Sequence, residues 1–437
     1  MAAPMPQPRA WRSFAIAAVL IAGCASTGLS PAPIATSTAG PTTPTASPTA
    51  GASSGAPSSA PLPTGSSGSW SVVGEIPAVT NEMGRLQPHV SILGATDVLV
   101  VGSDNVCTPG AAWPESATSI VGTPATSTWT LGPSLPKARD RFAIAHLTDG
   151  SVLVAGGTTG ASLGDAASLR STYRLKPGGS AWVRSGDLDV ARSAPSVAVL
   201  TDGRVLVAGG YYADLPANPP MHMIRSAELY DAATEAWSPT GSLVTARYGA
   251  GMTTLADGRV LIAGGWPDVD NSWPAPNYGD HQPLASTELY DPKTGQWSAA
   301  GGLPVAMGEP TVVPLPGGGA LAFGGTNVAR FEPASGTWTA TSPMLSAAAH
   351  RRAVALEDGR VLVAGGDVGG AFTAEAETFD PATGSWTATA RMPAPRSGGA
   401  AIRLGDGSVL LVGGEAEPGQ GDPSCAVTAT QVVRFAP

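Results

Sequence analysis

Two stretches of this 437-residue chain gather side chains suited to holding a ligand. Residues 211–226 read YYADLPANPPMHMIRS and residues 266–286 read WPDVDNSWPAPNYGDHQPLAS; they supply Tyr211, Tyr212, His222, Trp266, Asp268, Asp270, Trp273, Tyr278, Asp280 and His281. Flat aromatic rings beside carboxylates and amides suit a sugar, whose C–H face stacks while its hydroxyls form hydrogen bonds. The same residue types anchor protein partners. A third reading has these loops fold their own aromatics down onto whatever carries them.

Spacing defines a second set. Arg139, Arg192, Arg247 and Arg396 each stand ten residues before the Asp of an Asp-Gly pair, Arg85 stands at the aligned place, and Met307 and Ala348 interrupt the series. A ring of guanidinium groups in an acidic chain would focus anions such as the carboxylate of an acidic sugar or peptide. The alternative is internal: a buried Glu228, Glu288 or Glu377 would pair with such an arginine.

Neither a metal nor a cofactor is expected. The five histidines are scattered without ligand spacing, and DVDN at 268–271 lacks the Gly and Glu that a calcium loop requires. No nucleophile, base and orienting group recur together as a catalytic constellation.

The elements that must position these residues follow from composition. Lys and Arg total 24 against 33 Asp and Glu, a formal charge of −9 that argues against nucleic-acid binding. Gly (56) and Pro (41) are abundant and charged residues make up only 13%, which suits short strands and tight turns better than helices.

The start of the chain reads as an address. Arg9 and Arg12 precede SFAIAAVLIAG, an apolar run too short to span a bilayer, so residues 1–23 read as a secretory signal. The run closes on IAGC, which resembles the signal of bacterial lipoproteins. The resemblance implies lipidation of Cys24 and a lipid anchor to a membrane of the cell envelope, on the extracytoplasmic side. An ordinary signal cleaved nearby is the other reading. Residues 25–69, nearly all Ser, Thr, Pro, Ala and Gly and without a charge, complete a disordered linker over 24–69.

From Trp70 onward one phrase recurs. DGRVLVAGG stands at 202–210 and again at 358–366, and variants at 97–103, 150–157, 258–265, 319–325 and 407–414 bring the copies to seven. Asp-Gly favours a two-residue hairpin turn, the aliphatic run a strand buried on both faces, and the Gly pair a close backbone approach. An aromatic strand such as AELYD (227–231) or TELYD (287–291) follows, with a Trp seven residues after its aromatic.

Gly-Gly, aromatic and Trp recurring together resemble the kelch repeat. The resemblance implies an all-β fold over 70–437: a seven-bladed β-propeller with strands a, b, c and d in each blade. The last blade would be closed by the N-terminal strand containing Trp70. Closure would bring blades 1 and 7 together, so a Cys107–Cys425 disulfide is expected across the joint.

The a-to-b and c-to-d turns are tight, so variation and function should lie on the face of the b-to-c and d-to-a connections. A monomeric protein binding a glycan or an envelope protein there is the leading expectation. The alternative is an enzyme acting on an acidic sugar at the arginine-lined mouth, in the manner of sialate-epimerising kelch propellers. Resemblance to galactose oxidase is confined to the repeat; its copper site requires a Tyr-His pair, and no Tyr-His dipeptide occurs here.

Overall fold

The structure, a computed structural model, describes residues 68–77, 89–102, 117–159, 167–212, 222–267, 282–417 and 427–437. The signal and nearly all of the linker lie outside these residues. So do Cys24, Arg85, Cys107, Cys425, Asp268, Asp270, Trp273, Tyr278, Asp280 and His281.

Each repeated phrase forms the same kind of strand. In blade 3 the aliphatic run is Val205–Ala208, wholly buried and paired with Ser196–Val199 on one side and Ala227–Asp231 on the other, beyond which lies Ala236–Thr240. These are strands b, a, c and d. Aliphatic side chains without a polar group suit a strand covered on both faces. The glycine after strand b is demanded by its neighbour: a Cβ on Gly209, at φ 69°, would stand 2.5 Å from the carbonyl oxygen of Arg247 in the next blade.

The Asp-Gly turns depart from the two-residue form expected of them. Leu200 and Arg204 pair across three residues, and of Thr201, Asp202 and Gly203 only the glycine takes a positive φ. Asp202 instead accepts from the backbone N–H and Nε of Arg204 at 3.0 and 2.8 Å, an arrangement repeated by Asp257 with Arg259 and by Asp358 with Arg360.

Seven four-stranded antiparallel sheets are present, and no helix occurs among the described residues. The innermost strands are neighbours in sequence order all the way round, and His89–Leu93 of blade 1 lies beside Ala400–Arg403 of blade 7, so the ring is closed. The core sits between blades. One cluster joins Leu206 and Ala208 of blade 3 to Val260 and Ile262 of blade 4, and the next joins Leu261 of blade 4 to Ala320 and Ala322 of blade 5.

Blade 7 combines both ends of the ring. Ser69–Glu75 pairs with Gln431–Ala436, setting Trp70 opposite Phe435 with ring centroids 5.0 Å apart. The same cross-strand pair recurs as Tyr230 with Trp237, Tyr290 with Trp297, Phe331 with Trp338 and Phe379 with Trp386, at 5.0–5.2 Å. Trp70 Nε1 donates to Ala390 O of blade 6 at 2.8 Å, and Trp129 Nε1 of blade 1 donates to Val73 O at 3.0 Å. The N-terminal strand is thereby stitched to the blades on either side.

A second tier stands on the face of the b-to-c connections. Tyr211–Tyr212 pairs with His222–Met223, Trp266–Pro267 with Arg247–Tyr248, and Asp367–Val368 with Ala371–Phe372. Blade 5 has no such tier. Gly324 pairs directly with Asn327, leaving only residues 325–326 to turn the chain.

Candidate functional site

The missing tier on blade 5 leaves a hollow between taller neighbours. A cavity of about 690 Å³ opens there, lined by Trp266 of blade 4, His350, Asp367 and Phe372 of blade 6, and Glu415 of blade 7. Glu309, Thr311 and Arg352, at the entry to the innermost strands, line it as well. Its volume lies within the range of small-ligand sites.

Three positions at the entry to each innermost strand build this region. In blade 3 they are Arg192, Ala194 and Ser196; in blade 4, Arg247, Gly249 and Gly251. Arg192 is fully buried, donates from Nη1 to the carbonyls of Gly209 and Ser226 at 2.9 Å each, and pairs with Glu228 at 2.6 Å. Arg247 does the same with Gly264 and Ser286 at 2.8 Å and with Glu288 at 2.8 Å. Each glutamate also accepts two backbone N–H groups, of Asp189 and Val190 or of Val244 and Thr245. Burial lowers both arginine pKa values, and the partner carboxylate opposes it.

The other arginines vary the same theme. Arg139 donates to Gly156 O and Ser171 O and lies 4.9 Å over the ring of Tyr173, which stands where a glutamate would. Arg396 faces Val433 at that place and donates to Gly413 O and Gln431 O; burial with no carboxylate to oppose it lowers its pKa to about 10. The expectation that Arg139, Arg192, Arg247 and Arg396 contact a ligand is therefore corrected. Their side chains are buried, and in each the Nη1 group joins the end of strand b to the start of strand c.

Blade 6 keeps the bond but moves its donor. Ala348 occupies the first position, and Arg351, three residues on, pairs with Glu377. Blade 5 drops both partners, Met307 and Ala329 meeting instead in one apolar cluster.

The second position forms a rim. Arg141, Ala194, Gly249, His350 and Gly398 all take left-handed φ between 48° and 69°. Ala194 N donates to Arg141 O, Gly249 N to Ala194 O and Gly398 N to His350 O, linking blade to blade. Among the described residues the chain of bonds stops at Glu309, which is not left-handed. His350 holds a conformation that costs a non-glycine residue about 1–3 kcal/mol, and its Nδ1 lies 2.6 Å from Asp367 Oδ2. Ser397 Oγ donates to the same oxygen at 3.5 Å. With the serine on the carboxylate rather than on the imidazole, these three residues do not form a nucleophile relay. Burial raises the pKa of neighbouring Glu415; His350 lowers it and Asp367 adds to the rise.

The third position is small in most blades, as Ala143, Ser196, Gly251 and Ala400. Blade 6 places Arg352 there. Its Nε is buried without a hydrogen-bond partner, and burial lowers its pKa while Glu309 opposes the shift. In blade 1 the position is His89, stacked 4.1 Å from Phe142 and lowered to a pKa of about 4 by burial and by the charge of Arg352.

Of the loop residues expected to bind, Trp266 reaches the cavity, its indole lying where a Cβ on Gly308 would stand only 2.3 Å away. Tyr211 does not. It is 5% exposed, its hydroxyl accepts from Arg141 Nη1 at 3.2 Å and its ring meets Tyr248 edge-on at 5.6 Å. The expectation that Tyr211 contacts a ligand is corrected, because its ring packs down onto the rim. Tyr212 and His222 pair across their hairpin and do not line the cavity. Glu309, His350, Arg352, Asp367 and Glu415 were missed by the sequence reading. Departure from the repeat at the second and third positions was the available signal for the first three.

No family model matches the chain. A 136-residue stretch is 30% identical to Kelch-like protein 34 of Homo sapiens; it is 31% of this chain, which spans only about a fifth (20%) of that relative's length. Among solved structures, the chain resembles a fungal alcohol oxidase of the AA5 family in complex with copper, with a TM-score of 0.60 and 19% identity over 85% of this chain and 76% of that one. It also resembles YjhT, with a TM-score of 0.50 and 17% identity over 69% of this chain and 96% of that one. Identities this low establish the fold alone. The described residues do not fit copper, since no three His, Cys, Asp or Glu among them are grouped to hold a metal.

Proposed function

We propose that this kelch-repeat β-propeller is a lipid-tethered, extracytoplasmic binding protein that holds a glycan in the cavity above blade 5. The supporting observation is the composition of that cavity: the rings of Trp266 and Phe372 share it with Glu309, Asp367 and Glu415. Aromatic faces pack against the C–H side of a sugar while carboxylates accept its hydroxyls. The tether is read from IAGC at residues 21–24.

An envelope protein is the second reading. It is favoured by Val244, Val305 and Leu345, exposed apolar residues on successive d-to-a connections of the same face. Conversion of a bound sugar, rather than release unchanged, would make the protein an enzyme.

Full-length protein in detergent, titrated with a glycan panel, tests the reading. Trp266→Ala should weaken binding about tenfold or more. If no glycan binds while an envelope protein is captured in a Val305-dependent manner, the second reading replaces the first. Cys24→Ala should abolish acyl labelling and release the protein from membranes; unchanged labelling would remove the tether.

A further inference from the structure

We infer that Arg352 is an anion subsite of this cavity, and that the glycan it selects carries a carboxylate. The inference rests on the binding role proposed above. It begins from a contrast between two adjacent residues. Both line the cavity, but Arg351 is paired with Glu377, whereas Arg352, the first residue of the innermost strand Arg352–Ala355 of blade 6, has no such partner.

Arg139, Arg192, Arg247, Arg351 and Arg396 all donate to carbonyl oxygens or to a glutamate. Arg352 makes no hydrogen bond or ion pair with any described residue; its side chain is half-buried, and its Nε, like those of Arg192, Arg351 and Arg396, is buried without a partner. A guanidinium with no protein acceptor in a partly enclosed cavity gains from an acceptor that a ligand brings. A carboxylate supplies two coplanar acceptors matched to its fork. The small residues at the equivalent positions, among them Gly251 and Ala400, leave room around it.

The other charged groups fix what else the ligand carries. Glu309 lines the same cavity and opposes the effect of burial on Arg352 without an ion-pair contact. His89, with a pKa near 4, is neutral at pH 7 and adds no charge. Asp367 and Glu415, with His350, line the same cavity and suit hydroxyl or amine donors. The ligand therefore has one acidic group set among several hydrogen-bond donors.

Calorimetric titration of the full-length protein with uronic-acid oligosaccharides and their carboxyl-reduced counterparts tests this. The acids should bind about tenfold or more tightly than the reduced forms. Arg352→Gln should erase that preference, the acids losing affinity about tenfold or more until they bind no better than the reduced forms. Glu309→Gln should tighten binding of the acids by removing a like charge, and should do so less when combined with Arg352→Gln if the acid sits between the two. Equal affinity for both forms, or a preference that survives Arg352→Gln, overturns the inference and leaves the glycan role standing. Absence of binding to any sugar overturns both. Acetate or inorganic phosphate binding as tightly as the acids, and only with Arg352 present, would show that the site reads a free anion and overturn the glycan assignment.

Discussion

Blades 3 and 4 and blades 5 and 6 are written with the same repeat, yet the first pair obeys it and the second breaks it at the same three positions. Arg192 and Arg247 become Met307 and Ala348, Ala194 and Gly249 become Glu309 and His350, and Ser196 and Gly251 become Thr311 and Arg352. In the obedient blades these positions are consumed by the scaffold, through buried ion pairs and rim hydrogen bonds. In blade 5 the rim bonds stop, and polar side chains of both deviant blades line the cavity. Repetition here marks what the ring needs to stand, and departure marks what it can use.

The largest expected effect breaks the obedient side. Glu288→Ala leaves Arg247 buried without its carboxylate and should cost about 3–5 kcal/mol in urea unfolding. Met307→Arg should be similarly harmful, since Ala329 stands opposite, and Met307→Arg with Ala329→Glu together should recover part of that loss. A harmless Met307→Arg would mean that blade 5 is no apolar exception.

Next comes pH. His89 has its folded pKa lowered from 6.5 to about 4, so the unfolded chain takes up a proton that the folded one refuses. The stability associated with neutral His89 is present above pH 6.5 and is lost as pH falls toward 4, by up to about 3 kcal/mol. His89→Phe, which keeps a ring against Phe142, should flatten the unfolding free energy across that window. An unchanged slope would place the titration elsewhere.

The smallest effect separates two aromatics that look alike in sequence. Tyr211→Phe removes a hydroxyl held by Arg141 and should cost about 1 kcal/mol of stability with glycan affinity unchanged. Trp266→Ala should show its main effect in affinity. A loss of binding in Tyr211→Phe would move the site toward blade 3.

The ring and its strands were legible because they depend on features that repeat: Gly-Gly where backbones touch, aliphatic runs where both faces are covered, and an aromatic opposite a Trp. Even the N-terminal strand could be placed, since Trp70 needed a partner and Phe435 lacked one. The site was less legible. Tyr211 and Trp266 occupy the same kind of loop, and only packing against Tyr248 or Gly308 distinguishes them. The arginines could be read either as a ring facing a ligand or as partners of buried Glu228, Glu288 and Glu377, and spacing alone did not choose between the two. Arg352 was hidden beside Arg351, because sequence alone did not show which of the two would take the place of the arginine missing at Ala348.

Hydrogen–deuterium exchange of the full-length protein, with and without saturating glycan, tests most directly whether the broken repeat is the binding site. Slowed exchange should appear at residues 306–311, 348–353 and 367–372. Protection confined to residues 211–226 and 266–286, with blades 5 and 6 unchanged, would contradict it.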